Sequence, residues 1–371
     1  MGPRRGKNLN VIKKAKAIKN APEPDYTVDQ LLEKTKELMD DNKYDRAFKF
    51  VVKALEKDEN NTHALLLAAI IQLESGEIEL ATSCLVRCAN ISPERGFEKY
   101  MYLGQLSVEL EAVKYFQLGI NAIKRDLDEM PQDSEPAAVL RRKVAEAFVA
   151  MTEIYLTDCC FEADAENKCE QFLEEGVNID PGCPEVYQTM ASVRLSQNRL
   201  DDARDCVSKS MALWADKDVN DPSQIPSYEN RLALVRLLLE LDDKERALNI
   251  LERLQKEDDE SVDMWYLYGW TYHLQSEENV SADPEDKIEL LSSARECFKQ
   301  AIKLAGLLGF ENDGLIDHAQ ELINAINTVV PISADDDDDA DQTKKTNNGA
   351  DGVEDWDDIS SDDDKDVDMG A

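Results

Sequence analysis

Histidine is nearly missing from this 371-residue chain. His63, His273 and His318 are the whole set, far apart in sequence and in no pair at metal-ligand spacing. Glycine and proline are sparse, at 15 and 12 residues. No stretch has the glycine spacing of a phosphate-cradling loop, and Gly2-Pro-Arg-Arg-Gly6-Lys7 has the wrong interval. No nucleophile elbow is present. The eight cysteines follow no framework spacing, which suits free thiols in a reducing compartment. Long apolar runs are also lacking. The longest, Ala64 to Ile71, has eight residues, far short of a membrane span. The basic N-terminus is followed by no apolar core of a secretory signal. These absences leave no catalytic set, no metal site and no cofactor site to expect, so the reading is a binding protein rather than an enzyme. Basic charge is the last shortage. Against 78 acidic residues stand 42 lysines and arginines, a net charge of −36. Such a molecule repels phosphate backbones and anionic membranes, and its natural counterpart is a basic protein.

The charge is unevenly placed. Residues 1–25 form a basic arm, with Arg4, Arg5, Lys7, Lys13, Lys14 and Lys16 among its cations and no acid before Glu23. Residues 331–371 form an acidic tail with Asp335 to Asp339 unbroken. Neither end has enough apolar surface to offset the entropy of ordering, and both are expected to be disordered. The arm reads either as a nuclear-import signal or as a segment that folds back on an acidic surface. The tail reads as an attractant for basic clients or as a solubilising segment. Ser360 and Ser361, each followed by acids, suit an acid-directed kinase.

Between these ends, residues 26–330 read as a helical repeat array. Apolar residues recur at spacings of three and four, with no sustained alternation. Ala47, Val51 and Ala54 mark one helix face, and the pattern returns as Ala81, Leu85 and Cys88, a shift of 34. Further copies are Ala112/Phe116/Gly119, Cys169/Leu173/Gly176, Ala203/Val207/Ser210, Ala247/Leu251/Leu254 and Ala294/Phe298/Ala301. The last follows Trp265-x2-Tyr268-Gly269-x2-Tyr272. Small residues let paired helices approach, and a large one fills the space at the next turn. These residues resemble the tetratricopeptide repeat. The resemblance implies an all-α superhelical solenoid of about seven repeats, with a final capping helix near Glu311 to Asn327. Coil insertions are expected at Asp126 to Pro136, Asp158 to Glu166, Asp216 to Pro226 and Gln275 to Asp286. The third repeat is about four residues short between its helices.

In such a solenoid the first helix of each pair lines the inner groove. Aligned copies place Glu74, Glu98, Met101, Glu109, Glu146, Glu153, Glu185, Gln188, Glu229, Glu240, Asp263, Tyr266 and Trp270 there. Carboxylates outnumber cations and alternate with apolar and aromatic groups. That mixture suits an extended segment bearing Arg or Lys with hydrophobic anchors, its cations pairing with carboxylates and stacking on Tyr266 or Trp270. It does not suit the acidic C-terminal peptide of heat-shock chaperones, which needs inward Lys, Asn and Arg.

The opening GPRRGKNLNVIKKAKAIKN, the repeats and the closing EDWDDISSDDDKDVDMGA together resemble fungal-type assembly chaperones dedicated to large-subunit ribosomal protein four. That resemblance implies one-to-one capture of the newly made ribosomal protein through its long basic loop. It further implies an escort that shuttles between cytoplasm and nucleus, meeting import factors and pre-ribosomes. A general adaptor scaffold, or an escort of other basic nuclear proteins such as histones, are the alternative readings.

Overall fold

The computed structural model describes residues 26–217, 221, 224–278 and 284–331. The basic arm with its candidate import residues, and the tail with Ser360 and Ser361, lie outside the described residues. Among the described residues there are fifteen α-helices and no strand. None is long and apolar enough to cross a membrane. The chain divides into two compact units, one ending at Glu257 and the other starting at Asp258.

The first unit holds six antiparallel helix pairs. They are α1 Val28–Asp40 with α2 Tyr44–Lys57, α3 Thr62–Glu74 with α4 Ile78–Ile91, and α5 Glu98–Leu106 with α6 Glu109–Asp128. After these come α7 Glu135–Leu156 with α8 Ala165–Ile179, α9 Pro184–Ser196 with α10 Leu200–Ala212, and α11 Tyr228–Glu240 with α12 Lys244–Glu257. The second unit holds α13 Val262–Glu278, α14 Pro284–Leu308 and the terminal α15 Asp313–Val329. The chain therefore has the seven pairs and extra helix that its small-residue pattern predicts. The expected coil at Asp126 to Pro136 is shorter, because α6 continues to Asp128 and α7 starts at Glu135. The expected coil at Gln275 to Asp286 shrinks likewise, with α13 continuing to Glu278 and α14 starting at Pro284.

Local chemistry sets where helices begin. Several first helices start on a side-chain cap: Thr27, Asn61, Ser134 and Ser227 each accept a hydrogen bond from the backbone N–H three residues on. The turn into the second helix needs one left-handed residue. Asn42, Gly76, Asn198 and Asp242 fill that place, with φ between 57° and 75°, and these are residue types that tolerate it. The third pair departs from the rule. Its first helix has only nine residues, the link to α6 is Ser107-Val108, and the left-handed residue is Glu109, at φ 54°.

Within each pair the predicted small and large residues meet. Ala47, Ala81, Ala203, Ala247 and Ala294 are fully buried. Gly269 faces the Phe298 ring so closely that an added Cβ would lie 2.8 Å from it and 3.0 Å from the Ala294 carbonyl. Gly104 meets Phe116 in the same way, at 2.9 Å. Partly buried ion pairs join neighbouring helices. Arg231, 2 % exposed, makes a bidentate contact with Glu257, and Arg194 pairs with Glu170. Packing forbids a side chain at Gly269 but not at Gly306, which has nothing within 4 Å. Gly269→Ala should therefore lower the unfolding free energy read by chemical denaturation by about 1–3 kcal/mol as an overpacking change. Gly306→Ala should leave it unchanged or raise it by up to ~1 kcal/mol through helix propensity.

Candidate functional site

Among the first helices of the first unit, α1 contacts α3, α7 contacts α9 and α9 contacts α11, so neighbouring first helices lie side by side there. Electrostatic neighbours show which residues of their outward face lie close together. His63 on α3 feels Lys36 and Asp29 from α1 and Glu98 from α5, and burial holds its imidazole below the ordinary value. Tyr102 on α5 lies near Glu74 and Glu98, and burial raises its phenol. Asp29, Lys36 and Glu98 thus lie near His63, and Glu74 and Glu98 near Tyr102.

Two expected members of the face sit elsewhere. The Met101 thioether rests against Gly119 of α6, where an added Cβ would lie 2.7 Å from its methyl. Its place is taken by Tyr102, one residue on. Glu109 is the exposed first residue of α6, not the end of a first helix. Both differences have one cause: α5 is short, so the alignment with longer repeats slips by one residue and overruns the helix.

The centre of the face is α7. Glu146 and Glu153 are seven residues apart, two turns along one side. Both keep more than a third of their surface in contact with solvent, yet protein mass around them raises both carboxyls above the ordinary value near 4.5. Around Glu146, Lys143 and Arg142 oppose this rise, while Glu185 and Asp180 add to it. Glu153 has burial as its sole cause. Arg142 is a basic residue that the repeat alignment did not place here. It is held by Asp180, with Nε donating to Oδ2 at 2.5 Å, and its Nη2 donates to the Gly182 carbonyl at 2.8 Å.

On α9, Glu185 and Gln188 are half-buried and face α11. Gln188 donates to the Asn230 carbonyl at 2.9 Å, and the Asn230 amide donates to Glu185 at 3.4 Å. Gln188 is therefore a tie between neighbouring first helices. Glu229 and Glu240 on α11 are exposed. The face thus presents Glu74, Glu98, Glu146, Glu153, Glu185, Glu229 and Glu240 in sequence order. Partly exposed Leu66, Ile70 and Leu73 on α3 supply apolar ground between them.

In the second unit, Asp263, Tyr266 and Trp270 lie on α13. The Tyr266 hydroxyl shares a 2.7 Å hydrogen bond with His318 Nδ1 on α15. The Trp270 ring stacks on His273 and tilts against His318, with centroids 5.5 Å apart in both cases. These aromatics, expected as open faces for client arginines, are largely engaged by the terminal helix.

Several other groups bear on chemistry. Burial pushes the Cys183 and Cys297 thiols up to about 12 and Cys169 to about 11, and raises Cys159 as well. A buried thiol held protonated is a poor nucleophile. Among the described residues, no group of three or more His, Cys, Asp or Glu is placed to hold a metal ion.

Comparison with known proteins follows the same line. No protein-family model matches the chain. It is 33% identical over 366 residues, 91% of its length and 90% of the relative's, to a protein of Emericella nidulans named as a probable assembly chaperone of rpl4. A Schizosaccharomyces pombe protein of the same name is 31% identical over 284 residues, covering 74% of this chain and 83% of that one. A solved structure titled Assembly Chaperone of RpL4 (Acl4) matches at 32% identity and a TM-score of 0.64, over 70% of this chain and all of the other. A tetratricopeptide-repeat protein from Parabacteroides merdae, 14% identical with a TM-score of 0.50 over 80% of the chain, shares the fold. The helix pairs, the small-residue contacts at Gly104 and Gly269 and these relatives together place the chain in the family of tetratricopeptide-repeat proteins named as assembly chaperones of rpl4.

Proposed function

We propose that the chain captures a newly made basic ribosomal protein, large-subunit ribosomal protein four, on the acidic face of its first unit, one client per chain. It then escorts the client from cytoplasm to nuclear pre-ribosomes. The observation that carries this reading is the series of exposed or half-buried first-helix carboxylates, Glu74, Glu98, Glu146, Glu153, Glu185, Glu229 and Glu240, among which burial raises the Glu153 carboxyl. A half-desolvated carboxylate of this kind costs stability in the free protein and gains most from an incoming cation. The remaining carboxylates extend the attraction along the face, and the apolar side chains between them cover hydrophobic anchors. The relatives' names supply the client class.

The rRNA-binding part of a ribosomal protein is strongly basic and has no core without RNA. An acidic face neutralises it, and rRNA, a stronger polyanion, takes it back. Escort into the nucleus assigns the basic arm the role of import signal, read by import factors.

Two outcomes follow. Purification of the chain from cells should yield the ribosomal protein in stoichiometric amount, with affinity falling steeply as salt rises. Changing Glu153, Glu185 and Glu229 together to lysine should abolish capture with helical circular dichroism unchanged. Recovery of many unrelated ribosomal proteins, or retained capture by the triple variant, would contradict the reading.

A further outcome concerns Glu153 alone. Its folded carboxyl is raised, so the ionised form destabilises the fold near neutrality, and that penalty disappears as pH falls through the folded value toward 4.5. Glu153→Gln should unfold at a higher temperature than wild type at pH 7, with the gap closing near pH 4.5. The same variant should bind client roughly tenfold more weakly, as expected for loss of a charge-assisted hydrogen bond. Melting curves across pH and a titration of client measure both.

A further inference from the structure

A cavity of about 440 Å³ opens on α7 beside Glu146. Its lining includes Val139, Arg141, Arg142, Lys143, Glu146 and Asp180. Three consecutive cations thus meet beside a carboxylate of the acidic face. Two of the three serve the fold. Arg142 is fixed by Asp180 and the Gly182 carbonyl, and Asp180 also accepts from the Gly182 N–H at 2.9 Å. These bonds shape the turn into α9 and leave Asp180 satisfied. Arg141 donates from Nη1 to the Gln132 carbonyl at 2.9 Å, which ties α7 to the turn ahead of it. Lys143 differs from both. It is exposed, and among the described residues it makes no ion pair or hydrogen bond.

A face that binds cations alone is weakened by an amine at this place. Lys143 lies one turn from Glu146 and acts on it electrostatically, but a solvated pair of that kind contributes little to stability. Its position along α7 is more informative. Val139, Lys143 and Glu146 stand at i, i+4 and i+7, so they form one strip of the helix, and all three line the cavity. Side chains one helical turn apart are separated by about 5–6 Å. In an extended peptide, alternate side chains are separated by ~6.6 Å. The two repeats are close enough for a peptide lying along α7 to meet the strip with every second residue. A Lys or Arg then falls on Glu146, an Asp or Glu on Lys143, and an apolar side chain on Val139, which is 51% exposed.

We propose that this cavity is a carboxylate-reading subsite for the client polypeptide, in which Lys143 takes an Asp or Glu side chain and Glu146 takes a Lys or Arg two residues away. The subsite rests on the function proposed above and adds selection to it. Carboxylates alone hold any polycation. A cation set among them repels a segment of uniform positive charge and favours one that carries an acid at that register, so specificity comes from a repulsive element as well as an attractive one.

The test uses the full chain and two probes, intact large-subunit ribosomal protein four and polylysine. Lys143→Gln removes one exposed cation from the acidic face. A ligand held by charge alone should then bind as tightly as before or up to about fivefold more tightly, and polylysine should do so. The ribosomal protein should instead bind about five- to tenfold more weakly, the effect of one charge-assisted contact. Lys143→Glu, which inverts the charge, should widen this opposition between the probes. Unchanged or tighter binding of the ribosomal protein by either variant would overturn the subsite, while a weakened Glu153→Gln in the same titration would leave the proposed function standing. A like weakening of both probes would also overturn it, by showing that Lys143 supports the face as a whole rather than reading a carboxylate. Failure of the wild-type chain to bind this client would remove both the proposed function and the subsite.

Discussion

The candidate face of the first unit depends on carboxylates whose charged form the surrounding protein disfavours. In water a carboxylate is satisfied by solvent, and in a protein core it is paired or protonated. Glu153 is in neither state, and Glu146 is only partly balanced by Lys143 and Arg142. Such groups persist where the surrounding fold is stable enough to hold them. They raise the gain from an incoming cation above what an exposed surface pair provides.

Several of the scaffold's arginines are held by carboxylates of their own. Arg231 is sunk against Glu257, Arg194 grips Glu170, and Arg142 is clasped by Asp180. These pairs tie helices together within the first unit and leave the acids of the first helices facing outward. Close contacts such as Gly104 against Phe116 set the helix spacing. The face is thus a by-product of steric rules that act at each repeat, with charge placed on positions those rules do not constrain.

That division explains what could be read from sequence. The pairs were legible because the alternation of small and large residues is local and repeats with a period near 34. Glu74, Glu98, Glu146 and Glu153 were placed by aligning the first helices copy by copy, across spacings that vary between repeats. Met101 and Glu109 were misplaced because α5 is short and ends at Leu106. The engagement of Tyr266 and Trp270 was hidden because it depends on His318, far along the chain on the terminal helix.

The decisive quantity is the ionisation of Glu153 in the free and occupied states. With the side-chain carboxyl labelled by 13C, a pH titration of the free chain should place its midpoint above the ordinary glutamate value. Titration with the ribosomal protein bound should place it below that value, because a client cation then stabilises the charged form. A midpoint that is ordinary in the free chain, or unmoved by the client, would contradict the account.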